Sequence, residues 1–156
     1  MKDLVDKIKN RDGIALAKGI TFIESEKKSD LQHKIELLNC LKSENNTMRS
    51  GVTGPPGVGK STFINQIGHY FLKKKHRVAV IAVDPSSAIS KGSILGDKMR
   101  MHFLNNNKNA FVRPSPSKNK NSAIDFETLC SINLCELAEF DVILIETVGS
   151  GQLEYN

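Results

Sequence analysis

The stretch "GVTGPPGVGKST", residues 51–62, guides the interpretation of the whole chain. Residues 54–61 fit the pattern GxxxxGK[ST], which has meaning when a strand precedes it and a helix follows it. Glycines let the backbone curl so that successive N–H groups point at one anion, and their missing side chains let a phosphate approach. A helix beginning at Lys60 would present its positive end to the same anion. The stretch therefore predicts a phosphate-binding loop, with Lys60 directed at the β- and γ-phosphates and Ser61 at Mg²⁺. The alternative is a glycine-rich turn that only joins a strand to a helix.

The rest of the chain alternates between apolar strands and helices. The runs "VAVIAV" (78–83) and "VILI" (142–145) are continuously apolar, which is typical of strands covered on both faces. We expect strands at 49–53, 77–85, 109–116 and 141–146, with helices at 60–72, within 93–104 and at 122–140. Strands separated by helices predict an α/β fold of the P-loop NTPase type, with a mostly parallel, doubly wound sheet that is incomplete in this chain.

A helical segment precedes this alternation. Apolar residues recur at steps of three and four along residues 3–42, which predicts helices. We expect Gly13 to separate the first two helices, and Ser29 with Asp30 to start the third. The polar stretch "KSENNTM" (42–48) marks the boundary. The predicted organisation is an N-terminal helical extension at 1–46, followed at 47–156 by the N-terminal portion of a P-loop domain.

Two acidic residues follow the buried strands, at the edge where open α/β sheets bind ligands. Asp84 ends "VAVIAVD" and Glu146 ends "VILIE", so either carboxylate is a candidate for a metal contact. Gly149, three residues after Glu146, is placed to offer its N–H to a γ-phosphate. Asp97, inside "ILGDK", is a weaker candidate on physical grounds. For Asp84 and Glu146, the alternative is a surface carboxylate at the end of a strand.

The composition excludes several other classes. The chain has 156 residues, 39% of them hydrophobic and 25% charged, and its apolar runs fall far short of the ~20 residues of a membrane span. We therefore expect a cytoplasmic protein that does not bind membranes. The three cysteines form no CxxC pair, which predicts buried or half-buried hydrophobic residues. The basic run "KKKHR" (73–77) suits a solvated helix end better than a nucleic-acid surface, since no aromatic residues interleave with it.

Several motifs together resemble one family. In chain order they are "ALAKGITFIES" (15–25), "GPPGVGKST", "VAVIAVDPSS", "GSILGDKMRM", "VRPSP" and "FDVILIETVGSGQ". The sequence is similar to the methylmalonyl-CoA mutase-associated GTPases, the MeaB/ArgK type, formerly described as LAO/AO transport system ATPases. The resemblance implies a GTP-hydrolysing, metallochaperone-like protein that assists a cobalamin-dependent acyl-CoA mutase in cofactor loading and protection, and that forms homodimers.

The resemblance also implies roles for individual residues. It places Lys60, Glu146 and Gly149 in catalysis. It implies that Ser61, Asp84, Asp97 and Glu146 hold Mg²⁺ or lie in the switch region. The residues implied to bind the phosphates of GTP are Gly54, Pro55, Pro56, Gly57, Val58, Gly59, Lys60, Ser61 and Thr62.

The sequence also departs from the family pattern. No Asn-Lys-x-Asp stretch follows "GQLEYN", so we expect the base-recognition and dimerisation parts to be absent from these residues, and only the resemblance selects GTP over ATP. Three hypotheses remain open. The chain is part of a GTPase that assists a mutase, a non-catalytic truncated remnant with weak phosphate binding, or a P-loop ATPase or small-molecule kinase of another family.

Overall fold

The computed structural model describes residues 1–41, 46–84, 101–116 and 124–147, except for the side chain of Asp84. Its described strands form one parallel sheet in the order β1-β4-β2-β3. The strands are β1 (Met48–Val52), β2 (Val78–Asp84), β3 (Ala110–Pro116) and β4 (Val142–Glu146). The predicted parallel α/β sheet is therefore confirmed, and each strand lies within two residues of its predicted bounds.

Helices cover both faces of the sheet. The described helices are α1 (Lys2–Lys9), α2 (Gly13–Glu24), α3 (Leu31–Asn39), α4 (Lys60–Lys73), α5 (His102–Asn105) and α6 (Phe126–Leu137), with a 3₁₀ turn at Lys28–Asp30. Alternate residues of a strand point to opposite faces. Accordingly, Ala79 and Ile81 pack with α1, α2, α3 and α6, whereas Val78 and Val80 pack with α4 and α5. All four side chains have no exposed surface, as the apolar run predicts.

The starts of α2 and α3 differ in detail from the prediction. Gly13 does not separate two helices but is the first residue of α2, which Asp12 caps by accepting bonds from the N–H groups of Ile14 (2.8 Å) and Ala15 (3.0 Å). Helix α3 does begin after Asp30, yet the carboxylate of Asp30 makes no bond to the helix. It accepts from the hydroxyls of Ser25 and Ser29 instead, and the Ser25 bond is the main reason that the pKa of Asp30 is lowered.

Helix α6 is shorter than the predicted 122–140. Asp125 caps its start, accepting from the Thr128 N–H at 2.8 Å. Its end follows from Glu139, whose φ of +58° is left-handed, and from the Phe140 N–H, which bonds back to the Cys135 carbonyl at 3.2 Å. This wrap closes the last turn and directs the chain into β4. Of the helix predicted within 93–104, the described residues contain α5, and residues 93–100 lie outside them.

The cysteines occupy the environments that were predicted. Cys130 and Cys135 are buried and Cys40 is half-buried, and all three are free thiols. Cys130 and Cys135 belong to the core between α6 and the sheet. Burial raises the pKa of both thiols, so they remain neutral small hydrophobic groups.

Candidate nucleotide-binding site

The loop between β1 and α4 has a backbone that glycine alone adopts easily. Gly57 has a φ of +78° and Gly59 a φ of +96°. A Cβ added at either position would meet nothing within 4 Å, so the requirement for glycine is conformational and not steric. Gly59 precedes the first residue of α4 and has no side chain with which to cap it. The first N–H groups of the helix therefore remain available to an anion.

The loop and the start of α4 surround an open depression of about 400 Å³. Its lining combines the loop backbone with one cation, two hydroxyls and one carboxylate. The lining residues are Pro56, Gly57, Gly59, Lys60, Ser61, Thr62 and Glu146. Seven of the residues that the sequence analysis assigned to phosphate or metal binding are thus brought together. Val58 lies in the same loop, and its side chain is largely exposed.

The side chain of Lys60 extends across the loop and is held by backbone carbonyls of the loop. Its Nζ donates to the carbonyl oxygens of Gly54 (2.8 Å) and Pro55 (3.2 Å). Gly54 and Pro55 were both predicted to bind phosphate. In this structure their carbonyl oxygens orient the Lys60 ammonium group. Phosphate oxygens are stronger acceptors for an ammonium group than neutral carbonyls are. The Lys60 side chain is accordingly positioned to exchange these bonds for bonds to a bound anion.

Ser61 and Glu146 form the polar centre of the depression. Parallel pairing sets Val52 beside Glu146, and the Ser61 hydroxyl donates to Glu146 Oε1 at 2.9 Å. Mg²⁺ takes an octahedron of oxygen ligands at 2.0–2.1 Å, so two neighbouring ligand oxygens lie about 3 Å apart. The hydroxyl and carboxylate oxygens therefore have the chemistry and the separation of one edge of a Mg²⁺ site, and the residues present fit this ion.

The other predicted site residues are located only in part. Asp84 is the last residue of β2, and Ala82 of that strand pairs with Glu146, so the carboxyl ends of β2 and β4 are adjacent as predicted. The Asp84 side chain, Asp97 and Gly149 lie outside the described residues. Within the described ranges, no three His, Cys, Asp or Glu residues are grouped so that they could enclose a metal ion.

The sequence analysis missed one residue behind the site. Asn65 of α4 is buried, and its Oδ1 accepts a bond from the Phe103 N–H at 3.3 Å, which attaches α5 to the helix that begins with Lys60. The signal was present in the sequence. Asn65 lies one turn beyond Ser61 and beside the buried Ile64, where an apolar residue is expected.

In the described part of the chain, no helix is long and apolar enough to cross a membrane.

Comparison with known proteins agrees with this geometry. A probable GTPase of Mycobacterium tuberculosis is 45% identical over 152 residues, which cover 97% of this chain and 45% of that protein. GTPase ArgK of Escherichia coli is 39% identical over 155 residues, covering 99% of this chain and 47% of ArgK. The crystal structure of an LAO/AO transport system kinase superposes with a TM-score of 0.75 at 33% identity, covering 98% of this chain and 44% of the other.

The chain thus spans about half the length of the relatives that it matches. Residues 16–156 match the family model described as "Methylmalonyl Co-A mutase-associated GTPase MeaB". The match includes the glycine-rich loop and Glu146, the elements that form the depression. The chain belongs to the family of methylmalonyl-CoA mutase-associated GTPases.

Proposed function

We propose that this chain binds GTP together with Mg²⁺ and hydrolyses GTP, as part of a protein that assists a cobalamin-dependent acyl-CoA mutase. The observation that carries the proposal is the Ser61–Glu146 pair beside Lys60 at the start of α4. A hydroxyl, a carboxylate and an ammonium group share one depression with free helix N–H groups, which suits a phosphate chain and its metal ion. The preference for guanine rests on the family membership.

Each residue has a defined task in this proposal. The backbone N–H groups of residues 57–62 bind the β-phosphate, and Lys60 exchanges its bonds to Gly54 and Pro55 for bonds to the β- and γ-phosphates. Ser61 and Glu146 would hold Mg²⁺, with Asp84 and Asp97 contributing to the same region. When bound, the ion would neutralise charge on the phosphates. Gly149 would sense the γ-phosphate through its N–H group.

The proposed partner is a cobalamin-dependent acyl-CoA mutase. The proposed role is to assist loading of the cofactor into the mutase and to protect the mutase from inactivation. Homodimer formation is proposed from the resemblance, and the cytoplasm from the composition. Intrinsic hydrolysis in this class is slow without a partner, because catalysis depends on positioning and charge neutralisation. We therefore expect nucleotide binding to be a more direct test of this chain than turnover.

The test is equilibrium binding of fluorescently labelled GTP and ATP, with and without Mg²⁺, to the chain and to Lys60→Ala. Loss of two charge-assisted hydrogen bonds costs about 3 kcal/mol or more, so the dissociation constant should rise roughly 100-fold. Lys73→Ala is the matched control, because it removes an exposed lysine from the other end of the same helix. It should bind like the unmodified chain.

Three results would contradict the proposal in whole or in part. Binding that is equally strong in Lys60→Ala would show that the nucleotide occupies another place. A chain that unfolds cooperatively yet binds neither nucleotide would favour the alternative of a non-catalytic remnant. Preferential binding of ATP would retain the phosphate site and exclude GTP as the substrate.

A further inference from the structure

A buried polar cluster joins α2 to the carboxyl end of β3, away from the phosphate loop. Glu24, the last residue of α2, accepts a bond from the Ser115 hydroxyl through Oε1 at 2.8 Å. Its Oε2 accepts from Nη2 of Arg113, which also donates to the Thr21 hydroxyl at 3.3 Å. Arg113 and Ser115 are two residues apart on β3, so both side chains point to the sheet face that α2 covers.

The cluster is well shielded from water. Ser115 is 1% exposed, and the side chains of Glu24 and Arg113 are 10% and 24% exposed. Glu24 forms an ion pair with the Arg113 guanidinium through Nη2. Within the described part of the chain, Arg113 Nε is buried and has no hydrogen-bond partner. Removing one partner of such a pair leaves the other charge shielded from water and uncompensated, which destabilises the contact between α2 and β3.

The cluster lies at the same end of the sheet as the proposed site but on the opposite face, the one that α2 covers. Ser115 is in register with Val83 and Pro116 with Asp84, while Ala82 of the same strand is in register with Glu146. Glu24 is therefore connected to the strand ends beside Ser61 and Glu146 only through the Ser115 hydroxyl and the pairing of β3 with β2 and of β2 with β4. The stretches "ALAKGITFIES" and "VRPSP" take no part in the phosphate loop, and this cluster is where they meet.

We propose that Glu24 is a positioning residue for the nucleotide–metal site. By holding Ser115 and Arg113, it sets the carboxyl ends of β3 and β2 in the place that Mg²⁺ and nucleotide require, and so couples the N-terminal helices to nucleotide binding. This inference rests on the proposed function. Because coupling between two sites is reciprocal, bound Mg²⁺ and GTP stabilise the contact between α2 and β3 in return.

The experiment measures the Mg²⁺ concentration at half-maximal binding of labelled GTP, together with the urea midpoint of unfolding. The variants are Glu24→Gln, which removes the charge, and Ser115→Ala, which removes only the hydroxyl, with Ser115→Thr as the conservative replacement. Asp6→Asn is the control, because Asp6 is an exposed carboxylate of the same helical segment. Ser115→Ala keeps the test valid if Glu24→Gln does not fold.

We expect Glu24→Gln and Ser115→Ala each to raise the half-saturating Mg²⁺ concentration about 5- to 20-fold, with Ser115→Thr and Asp6→Asn close to the unmodified chain. The double variant should shift little further than either single one, because both remove one connection. Variants that lower the urea midpoint but leave the Mg²⁺ requirement unchanged would overturn the inference, since that is the outcome of a purely structural contact. An unmodified chain that binds no nucleotide would instead refute the proposed function, and this inference with it.

Discussion

Gly59→Ala tests whether the backbone conformation at residue 59 requires glycine. Its φ of +96° and ψ of +20° lie in the left-handed region, where an L-residue costs about 1–2 kcal/mol. Gly13→Ala is the matched control, since an added Cβ meets nothing within 4 Å at either position, but Gly13 has no positive φ. Both substitutions restrict the unfolded chain equally. The difference between the two variants in free energy of unfolding therefore isolates the strain at Gly59.

The assay is urea and thermal unfolding of the two variants, followed by circular dichroism. We expect Gly13→Ala to be more stable than the unmodified chain by about 0.5–1 kcal/mol and Gly59→Ala to be less stable than Gly13→Ala by about 1–2 kcal/mol. At about 2–4 °C per kcal/mol for a chain of this size, their melting temperatures should differ by roughly 2–8 °C. Equal stability of the two variants would refute the argument from backbone conformation.

Two further predictions concern the core. Gly68→Ala places a Cβ 2.8 Å from Leu104 Cδ2, so overpacking of about 1–3 kcal/mol should exceed the gain of about 1 kcal/mol in helix propensity. In a Leu104→Ala background the same change should stabilise the chain, and an equal effect in both backgrounds, measured by urea unfolding, would exclude the clash. Burial raises the pKa of Cys135 above its ordinary 9.0, so above that pH the unfolded state holds fewer protons than the folded one. Stability should therefore fall as pH rises, by up to about 1.4 kcal/mol per pH unit, and Cys135→Ala should lower that slope; an unchanged slope would show that other groups cause it.

Local patterns predicted those features that depend on neighbours in the chain. The run Val78–Val83 is apolar at consecutive positions, which is typical of a strand that helices cover on both faces. The glycine-rich loop between β1 and α4 was predictable for the same reason, since its glycines and the following lysine and serine form one short segment. The interpretation of the cysteines also held, because Cys130 and Cys135 are buried and Cys40 is half-buried, all three as free thiols.

Helix ends were predicted less well, because distant residues influence them. Nothing in residues 122–140 alone requires α6 to stop at Leu137, and the stop follows from the turn at Glu139, whose side chain pairs with Arg11 of the N-terminal segment. Ser29 and Asp30 were expected to start α3, and the helix does begin after Asp30, but the Asp30 carboxylate accepts from the hydroxyls of Ser25 and Ser29 instead of from the helix. In both cases, a partner that the local pattern does not show decides the outcome.

The order of the strands in the sheet was decided by the tertiary structure and not by local sequence. Residues 54–61 match the loop pattern within eight consecutive positions, so a glycine-rich turn between a strand and a helix was predictable from local sequence. The pairing of β1 with β4, and of β2 with both β4 and β3, depends on contacts among segments far apart in the chain. That arrangement alone brings Ser61 within 2.9 Å of Glu146 and Ser115 within 2.8 Å of Glu24. Local propensity carries no information on which strands become neighbours, so these two contacts were decided by the packing of the sheet and its helices.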